Sequence, residues 1–252
     1  MDNNITLVWS FRNRIDVLRK SIETADKHSP KIVNFCLVDA GSSESSIREL
    51  REFCNNLSDR KVRICESAYR TTLAEAWNIG IMLSDSRFVV FVSSDVEFTG
   101  DQWLRNISKC VNAGYEYVLV ENHAVFLIDK KIIPRMGWFD EAYKLGPHFD
   151  TDFMIRGSEH DVRFAIIGSE YSYKHGDSVE DEEKRKTEAL TDRLPVNADD
   201  NDVIFKDKWE TSWEGWQNRV HPPTNIAQVK RKRNEIDPHP YYTVKYTKER
   251  EH

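Results

Sequence analysis

The chain has 252 residues, 39% hydrophobic and 31% charged, and its 36 basic and 42 acidic side chains give a formal net charge of −6. This composition is typical of a globular protein of one or two domains, and it excludes collagen-like, coiled-coil and small disulfide-rich classes. The longest apolar run, residues 88–92, is far shorter than the roughly 18 residues of a membrane span, and residues 1–4 lack a signal-peptide layout, so a cytoplasmic location is expected.

Strand and helix patterns alternate over the first hundred residues. Short apolar runs predict strands, and apolar side chains that recur every three or four positions predict helices. The predicted strands cover residues 5–11, 31–38, 62–65 and 88–92, and the predicted helices begin near residues 15, 45 and 73. Such alternation indicates a parallel sheet covered by helices on both faces, in which ligands bind beyond the carboxyl ends of the strands.

The second half of the chain is less regular. Residues 117–120 and 124–128 are interpreted as strands, with a hairpin as one arrangement, and residues 166–173 can hold another strand. Residues 177–202 are acidic and poor in large apolar side chains, which indicates a mobile loop or a surface segment.

The C-terminal region combines aromatic and basic side chains. The spacing of Trp209, Trp213 and Trp216 predicts a helix with an aromatic face. The last thirty residues, with four basic side chains at 230–233, are interpreted as a peripheral extension. A solvated tail is the favoured interpretation of this cluster, and nucleic acid as a partner is disfavoured but left open.

Polar clusters follow three of the predicted strands, at residues 10–14, 39–43 and 93–97. Arg12 and Arg14 follow the first strand and suit the oxygens of a diphosphate, although a solvated basic turn is an equal alternative. Asp95 and Glu97 follow the strand at 88–92 and could bind a hard divalent cation, or they could mark a strand end that turns into solvent.

Three further side chains are candidates for chemistry. Asp150 and Asp152 either begin a helix, where they suit its dipole, or supply a general base that takes a proton from a hydroxyl. His175 is a candidate metal ligand, although a lone histidine is more often an ordinary surface or core residue. The chain has only ten glycines and no glycine-rich phosphate loop, so bound phosphates would depend on charged side chains and a metal.

Five segments, in order along the chain, resemble glycosyltransferases of the GT-A fold, closest to the large inverting family 2. They are Ser-Phe-Arg-Asn-Arg at 10–14, Val-Asp-Ala-Gly-Ser at 38–42, Ala-Glu-Ala-Trp-Asn-Ile-Gly at 74–80, Ser-Ser-Asp-Val-Glu at 93–97, and Gly-Trp-Phe-Asp-Glu at 137–141 with the acidic segment at 150–156. The resemblance implies an α/β fold with a mostly parallel central sheet. It also implies a core at 1–178 for nucleotide sugar and acceptor, and an acidic loop and extension at 179–252 packed on the same domain.

The activity implied by this resemblance is transfer of a sugar, with inversion, from a nucleotide-diphosphate donor to a hydroxyl of a carbohydrate or another acceptor. A UDP-sugar is favoured over a GDP-sugar, and Mn²⁺ or Mg²⁺ is the implied cofactor. The implied donor contacts are Ser10, Phe11, Arg12, Arg14, Asp39, Asn78 and Asp95. The implied metal ligands are Asp95, Glu97 and His175, and the implied catalytic residues are Asp150 and Asp152.

Three departures from the family pattern keep alternatives open. Ala40 replaces the second aspartate of the nucleobase turn, which leaves recognition of the nucleobase to Asp39. Phe149 replaces an acid before Asp150, so the choice of catalytic base between Asp150 and Asp152 stays open, with motif position favouring Asp150. The metal motif can be read at 93–95 or at 95–97, and Asp95 belongs to both. The alternative functions are a catalytically degenerate GT-A domain that binds sugars or acts as a scaffold, and a sugar-nucleotide nucleotidyltransferase.

Overall fold

The structure is a computed structural model. It describes residues 5–57, 60–67, 70–120, 122–143, 148–168, 173–175, 199–209 and 242–248. The strands within these residues are β1 (Ile5–Phe11), β2 (Asn34–Asp39), β3 (Val62–Ser67), β4 (Phe88–Val92), β5 (Val96–Phe98), β6 (Tyr117–Val120), β7 (Asn122–Asp129), β8 (Phe164–Ile167), β9 (Tyr173–His175) and β10 (Tyr242–Lys248). The α-helices within the same residues are α1 (Ile15–His28), α2 (Glu44–Asn55), α3 (Leu73–Leu83), α4 (Gln102–Asn112), α5 (Ile133–Met136), α6 (Phe149–Glu159) and α7 (Asp199–Trp209).

Eight strands form one central sheet in the order β10-β3-β2-β1-β4-β7-β6-β8. The block β3-β2-β1-β4 is parallel throughout, and β8 is parallel to β6. The antiparallel neighbours are β4 with β7, β7 with β6, and β10 with β3. The mostly parallel α/β sheet expected from the sequence is therefore confirmed, and its parallel block brings the ends of β1, β2, β3 and β4 to one edge.

Alternate residues of the central strands enter two apolar layers, one on each face of the sheet. In β1, Leu7 and Trp9 belong to one layer, and Val8 belongs to the other. Helix α3 crosses the Val8 face at close range, because a Cβ on Gly80 would lie 2.4 Å from Val8 Cγ1. This glycine sets how near α3 approaches the sheet, and thus where the side chains of α3 lie.

Several predicted boundaries differ from the structure. Strand β2 begins at Asn34 instead of residue 31, because the chain before it turns, with the Val33 amide donating to the Pro30 carbonyl at 3.0 Å. The strands predicted at 117–120 and 124–128 are confirmed as antiparallel neighbours. In the range 166–173, where a strand was expected, β8 ends at Ile167 and β9 begins at Tyr173, and residues 169–172 lie outside the described residues.

The C-terminal part also departs from expectation. Residues 199–202, expected in the acidic loop, form the first turn of α7, and Trp209, expected in an aromatic helix, is the last described residue of α7. Trp213, Trp216 and the cluster at 230–233 lie outside the described residues. Strand β10 pairs along the whole of β3, so this part of the expected extension is an edge strand of the central sheet. In the described part of the chain, no helix is both long enough and apolar enough to cross a bilayer.

Candidate active site

A cavity of about 190 Å³ lies at the carboxyl ends of β1 and β4. Its polar lining is Ser10 from β1, Ser93, Ser94 and Asp95 from the segment after β4, and His123 from β7. Aromatic side chains of α3 and β4 supply much of the rest of the wall. Predicted residues from two separate segments, Ser10 and Asp95, thus meet at one site, together with a histidine that the sequence analysis did not identify.

The segment after β4 is a tight turn that presents Asp95 to this cavity. The Val96 amide donates to the Ser93 carbonyl at 3.1 Å, and the Ser93 amide donates to the Ala124 carbonyl of β7 at 2.8 Å. Asp95 is half-buried, whereas Glu97 is exposed on β5, between the buried Val96 and Phe98. The serine–serine–aspartate end of the motif therefore faces the cavity, and Glu97 lies on the solvent side of β5.

Strand β9 brings the backbone of His175 close in space to the turn that holds Asp95. His175 pairs with Val96 in the antiparallel β5–β9 ladder, so its backbone lies opposite the residue between Asp95 and Glu97. The side chain of His175 lies outside the described part of the structure. Among the described residues, no group of three or more His, Cys, Asp or Glu side chains is placed to share a metal ion.

The end of β1 is bonded to the turn after β2. The Ala40 amide donates to the Phe11 carbonyl at 2.8 Å, and Arg12 Nε donates to the Gly41 carbonyl at 3.1 Å. Phe11 is itself a buried core residue, so its backbone, and not its ring, faces this turn. The segments that follow the first two strands thus form one continuous polar rim.

Two consecutive residues of this rim have left-handed backbone conformations. The φ angles of Asn13 and Arg14 are 50° and 49°, values that non-glycine residues seldom adopt and that cost free energy unless the surroundings hold them. Asn13 is held by its amide donating to Ser42 Oγ at 2.7 Å and by its Oδ1 accepting from the Ser43 amide at 3.0 Å. Arg14 is the N-cap of α1, which fixes where its side chain leaves the backbone.

Asp39 ends β2 and is only 1% exposed. Its Oδ1 accepts a hydrogen bond from the Ser42 amide at 2.8 Å. Burial raises the pKa of Asp39, and hydrogen bonds from Ser42, Gly41 and Ser67 offset this only in part. The carboxylate therefore holds the turn together as well as lying at the edge where a nucleobase is expected.

Arg70 is a rim residue that the sequence analysis missed. It lies just beyond β3, and the next residue, Thr71, donates its amide to the Ala40 carbonyl at 3.4 Å. Partial burial and the positive charge of Arg12 lower the pKa of Arg70, so the two guanidinium groups are close enough to repel each other. Its position in the sequence could have identified it, because Arg70 follows the third parallel strand as Arg12 follows the first.

The side chain of Asn78 forms hydrogen bonds with other residues of the protein. Its Nδ2 donates to the Phe139 carbonyl and to Glu141 Oε1, both at 2.9 Å, and its Oδ1 accepts from the Phe139 amide at 3.0 Å. The side chain is fully buried and fastens α3 to the segment at 139–141. Its predicted part in donor binding would therefore be indirect, through the position of that segment.

Asp150 reaches the cavity through His123. Asp150 lies in the first turn of α6, where its Oδ1 accepts from the Thr151 amide at 2.7 Å and its Oδ2 lies 3.2 Å from His123 Nδ1. The carboxylate is partly exposed, with a side-chain accessibility of 25%. A partly solvated carboxylate beside a cavity-lining imidazole can accept a proton from a group bound in that cavity.

Asp152, two residues further on, is fully buried. Its Oδ2 accepts from Arg156 Nε at 2.9 Å, and its Oδ1 accepts from Trp209 Nε1 at 3.0 Å and from Lys208 Nζ at 2.8 Å. Arg156 donates further to the Met136 carbonyl at 2.6 Å. Asp152 therefore joins α6 to α7 by a buried ion-pair network.

The family model described as Glycosyl transferase family 2 matches residues 6–172. No curated protein matches the sequence significantly.

Solved structures share the fold at low sequence identity. Residues 1–349 of TarS from S. aureus align with a TM-score of 0.58 and 12% identity, over 86% of this chain and 75% of that one. The mannosyltransferase PcManGT from Pyrobaculum calidifontis, solved with GDP-Man and Mn²⁺, aligns with a TM-score of 0.59 and 13% identity, over 75% of this chain and 65% of that one. GalNAc-T7, solved with UDP, GalNAc and Mn²⁺, aligns with a TM-score of 0.57 and 10% identity, over 65% of this chain and 42% of that one. These likenesses establish the GT-A fold.

Proposed function

Because the chain belongs to glycosyl transferase family 2 and is a glycosyltransferase, we propose that it transfers a sugar from a nucleotide-diphosphate donor to a hydroxyl acceptor, with inversion and with a divalent cation. One observation carries this proposal. Asp95 and His123 line the same cavity at the strand ends, and Asp150 lies 3.2 Å from that histidine. A metal-binding carboxylate and a general base are thereby available at one site.

The donor is a nucleoside diphosphate sugar, with a UDP-sugar favoured over a GDP-sugar. TarS has been solved with UDP and with UDP-GlcNAc, and PcManGT with GDP-Man, so both bases occur among structures of this fold. Arg12 and Arg70 supply positive charge at the rim, and guanidinium groups suit diphosphate oxygens. The buried Asp39 turn is the candidate contact for the base, next to the Ser10 end of the cavity.

The described residues fit a cation that the donor helps to bind. Mg²⁺ is commonly held by one or two carboxylates together with substrate phosphates, so a single cavity-facing carboxylate is a suitable protein contribution. Asp95 is that carboxylate because it lines the cavity, whereas Glu97 lies on the solvent side of β5 and the side chain of His175 lies outside the described residues. A bound Mn²⁺ or Mg²⁺ supplies Lewis-acid stabilisation of the departing diphosphate.

Asp150 is the base. The acceptor oxygen bonds to the anomeric carbon from the face opposite the diphosphate, the bond to the diphosphate breaks with its electron pair leaving on the diphosphate, and the hydroxyl proton passes to Asp150. The partly exposed carboxylate beside the cavity supports this assignment. Asp152 supports the site by holding α6 in place, because its carboxylate already accepts from three buried donors.

A thermal-shift panel tests the proposal. Nucleoside diphosphates and nucleotide sugars, including UDP, GDP, UDP-GlcNAc and GDP-mannose, are added with and without Mn²⁺ to the wild-type protein, to Asp95→Ala and to the matched control Glu97→Ala. We expect nucleotides of one nucleobase to raise the melting temperature. Mn²⁺ should increase this effect in the wild type and in Glu97→Ala but not in Asp95→Ala. A wild-type protein that responds to none of these compounds would contradict the proposal and favour a degenerate GT-A domain that serves as a binding module or scaffold.

A further inference from the structure

Three polar side chains from three different elements form a continuous chain of contacts behind the cavity. Tyr117 of β6 is fully buried, and its hydroxyl lies 3.0 Å from Nε2 of His123 on β7. The other ring nitrogen of His123, Nδ1, lies 3.2 Å from Oδ2 of Asp150 on α6. The imidazole is therefore held at both nitrogens, with one edge of the ring open to the cavity.

The chemistry of these partners fixes the direction of each hydrogen bond. An ionised carboxylate only accepts hydrogen bonds, so Nδ1 must carry the hydrogen that Asp150 receives. Burial lowers the pKa of His123, and the opposing effect of the Asp150 charge is smaller, which favours the neutral ring at pH 7. A neutral ring protonated on Nδ1 has an acceptor at Nε2, and the Tyr117 hydroxyl must then be the donor.

The tyrosine can keep that role because it stays protonated. Burial raises the pKa of Tyr117 well above its usual value, and the nearby charge of Asp150 raises it further. Its ring also packs against Phe126 at a centroid distance of 5.6 Å and against Phe153 at 6.0 Å, so the hydroxyl has a fixed position. Tyr117 thus acts as a rigid donor that selects one tautomer of His123.

We propose that His123 is a positioning residue that holds Asp150 in its reactive orientation, and this inference rests on the proposed function. Tyr117 selects the tautomer of His123 that does so. The two oxygens of Asp150 are then held by separate donors, Oδ1 by the Thr151 amide at 2.7 Å and Oδ2 by His123 Nδ1. Each carboxylate oxygen can accept a second hydrogen bond, so a lone pair is left to take the acceptor proton. Because the carboxylate is already held in this orientation, less rotational entropy is lost when the transition state forms.

Substitution of His123 separates positioning from packing. His123→Ala removes the donor to Asp150, whereas His123→Asn can place an amide N–H close to the position of Nδ1. With UDP-GlcNAc and Mn²⁺ as the probe, and release of UDP to water as the reaction, we expect His123→Ala to lower kcat on the order of 10-fold to 100-fold. The affinity for UDP should stay within twofold of wild type, and His123→Asn should recover most of the lost kcat. If GDP-mannose is the donor that binds, it replaces UDP-GlcNAc.

A second readout does not depend on turnover. In ¹⁵N-labelled protein, the ring nitrogens of His123 should report the Nδ1–H tautomer, and Tyr117→Phe should shift the ring toward a mixture of tautomers. An Nε2–H tautomer in the wild type, or His123→Ala with kcat within twofold of wild type, would overturn the proposal. A protein that binds no nucleotide but has the Nδ1–H tautomer would contradict the proposed function without contradicting the hydrogen bonds of His123. Failure of the proposed function and failure of this inference are therefore distinguishable.

Discussion

Asp150 and Asp152 stand two positions apart in the first turn of α6, and their carboxylates have opposite environments. Asp150 is partly exposed and lies 3.2 Å from His123 at the cavity, whereas Asp152 is fully buried against Arg156 and Lys208. Residues two apart on a helix project to different sides, which explains the separation. One carboxylate is therefore placed for chemistry and the other for stability.

Substitution of each aspartate should separate these two roles. Asp150→Asn should lower turnover of the nucleotide sugar by on the order of 100-fold or more, because a general base contributes about 10²-fold to 10⁴-fold. Its melting temperature and its affinity for UDP should stay close to wild type. Asp152→Asn should instead lower the free energy of unfolding by on the order of 3 kcal/mol, because it leaves buried cations with fewer partners. Urea denaturation and a coupled assay for UDP release measure the two effects.

A near-normal kcat in Asp150→Asn would refute the base assignment. Asp16→Asn is the matched surface control, since Asp16 is an exposed aspartate in the first turn of α1. It should alter neither turnover nor stability.

The ion pair between Asp140 and Lys208 predicts how stability depends on pH. Burial alone would raise the pKa of Asp140, but Lys208 Nζ at 2.6 Å and the Ala142 amide together lower it. A carboxyl whose pKa is lowered by folding stabilises the protein above its unfolded pKa of about 4, and this contribution is lost as the pH falls through the folded value. Asp140→Asn should therefore lower the melting temperature at pH 7, and its difference from wild type should shrink below about pH 4. A difference that stays constant from pH 7 to pH 3 would contradict this.

Arg70 is expected to bind the diphosphate. Arg70→Ala should raise the Kd for UDP with Mn²⁺ on the order of 10-fold and weaken the salt dependence of binding, because hydrogen bonds between charged groups contribute about 1.5–3 kcal/mol. Arg105→Ala is the matched control, because Arg105 is an exposed arginine of α4 that pairs with Asp101, the residue before the helix. Titration calorimetry at two salt concentrations distinguishes them, and equal Kd values for the two variants would exclude Arg70 from the donor site.

Gly80 tests the close approach of α3 to the sheet. A methyl group at this position would lie 2.4 Å from Val8 Cγ1 in the core, so Gly80→Ala should destabilise the protein by about 1–3 kcal/mol. Combining it with Val8→Ala makes room for the methyl group, and the double variant should be more stable than the sum of the single effects predicts. Strict additivity in urea denaturation would mean that the contact does not limit packing.

The parts of the fold that local pattern determines were predicted well. Strand β1 and helix α1 follow directly from apolar runs and from helical spacing, and β4 was the clearest buried strand. The order of the strands was not predicted, because periodicity does not show which strands pair. The edge strand β10 was missed since it is stabilised by pairing with β3, far away in the chain.

The candidate site was predictable to the extent that it follows strand ends. Ser10, Arg12, Asp39 and Asp95 lie at strand ends of the parallel block, as the sequence pattern indicated. The partnership of His123 with Asp150 was not predictable, because it joins β7 to α6 through three-dimensional contact. The different burial of two neighbouring aspartates likewise depends on α7, which reaches α6 from more than 40 residues further along the chain.

The anomeric configuration of the released sugar tests the central claim most directly. Proton NMR on the nucleotide sugar that the binding panel selects, recorded before mutarotation, identifies the first product formed with Mn²⁺. We predict that an α-linked donor gives the β-sugar in the wild type and that Asp150→Asn forms it at a small fraction of the wild-type rate. An α-sugar as the first product, or an undiminished rate in Asp150→Asn, would contradict inverting transfer with Asp150 as the base.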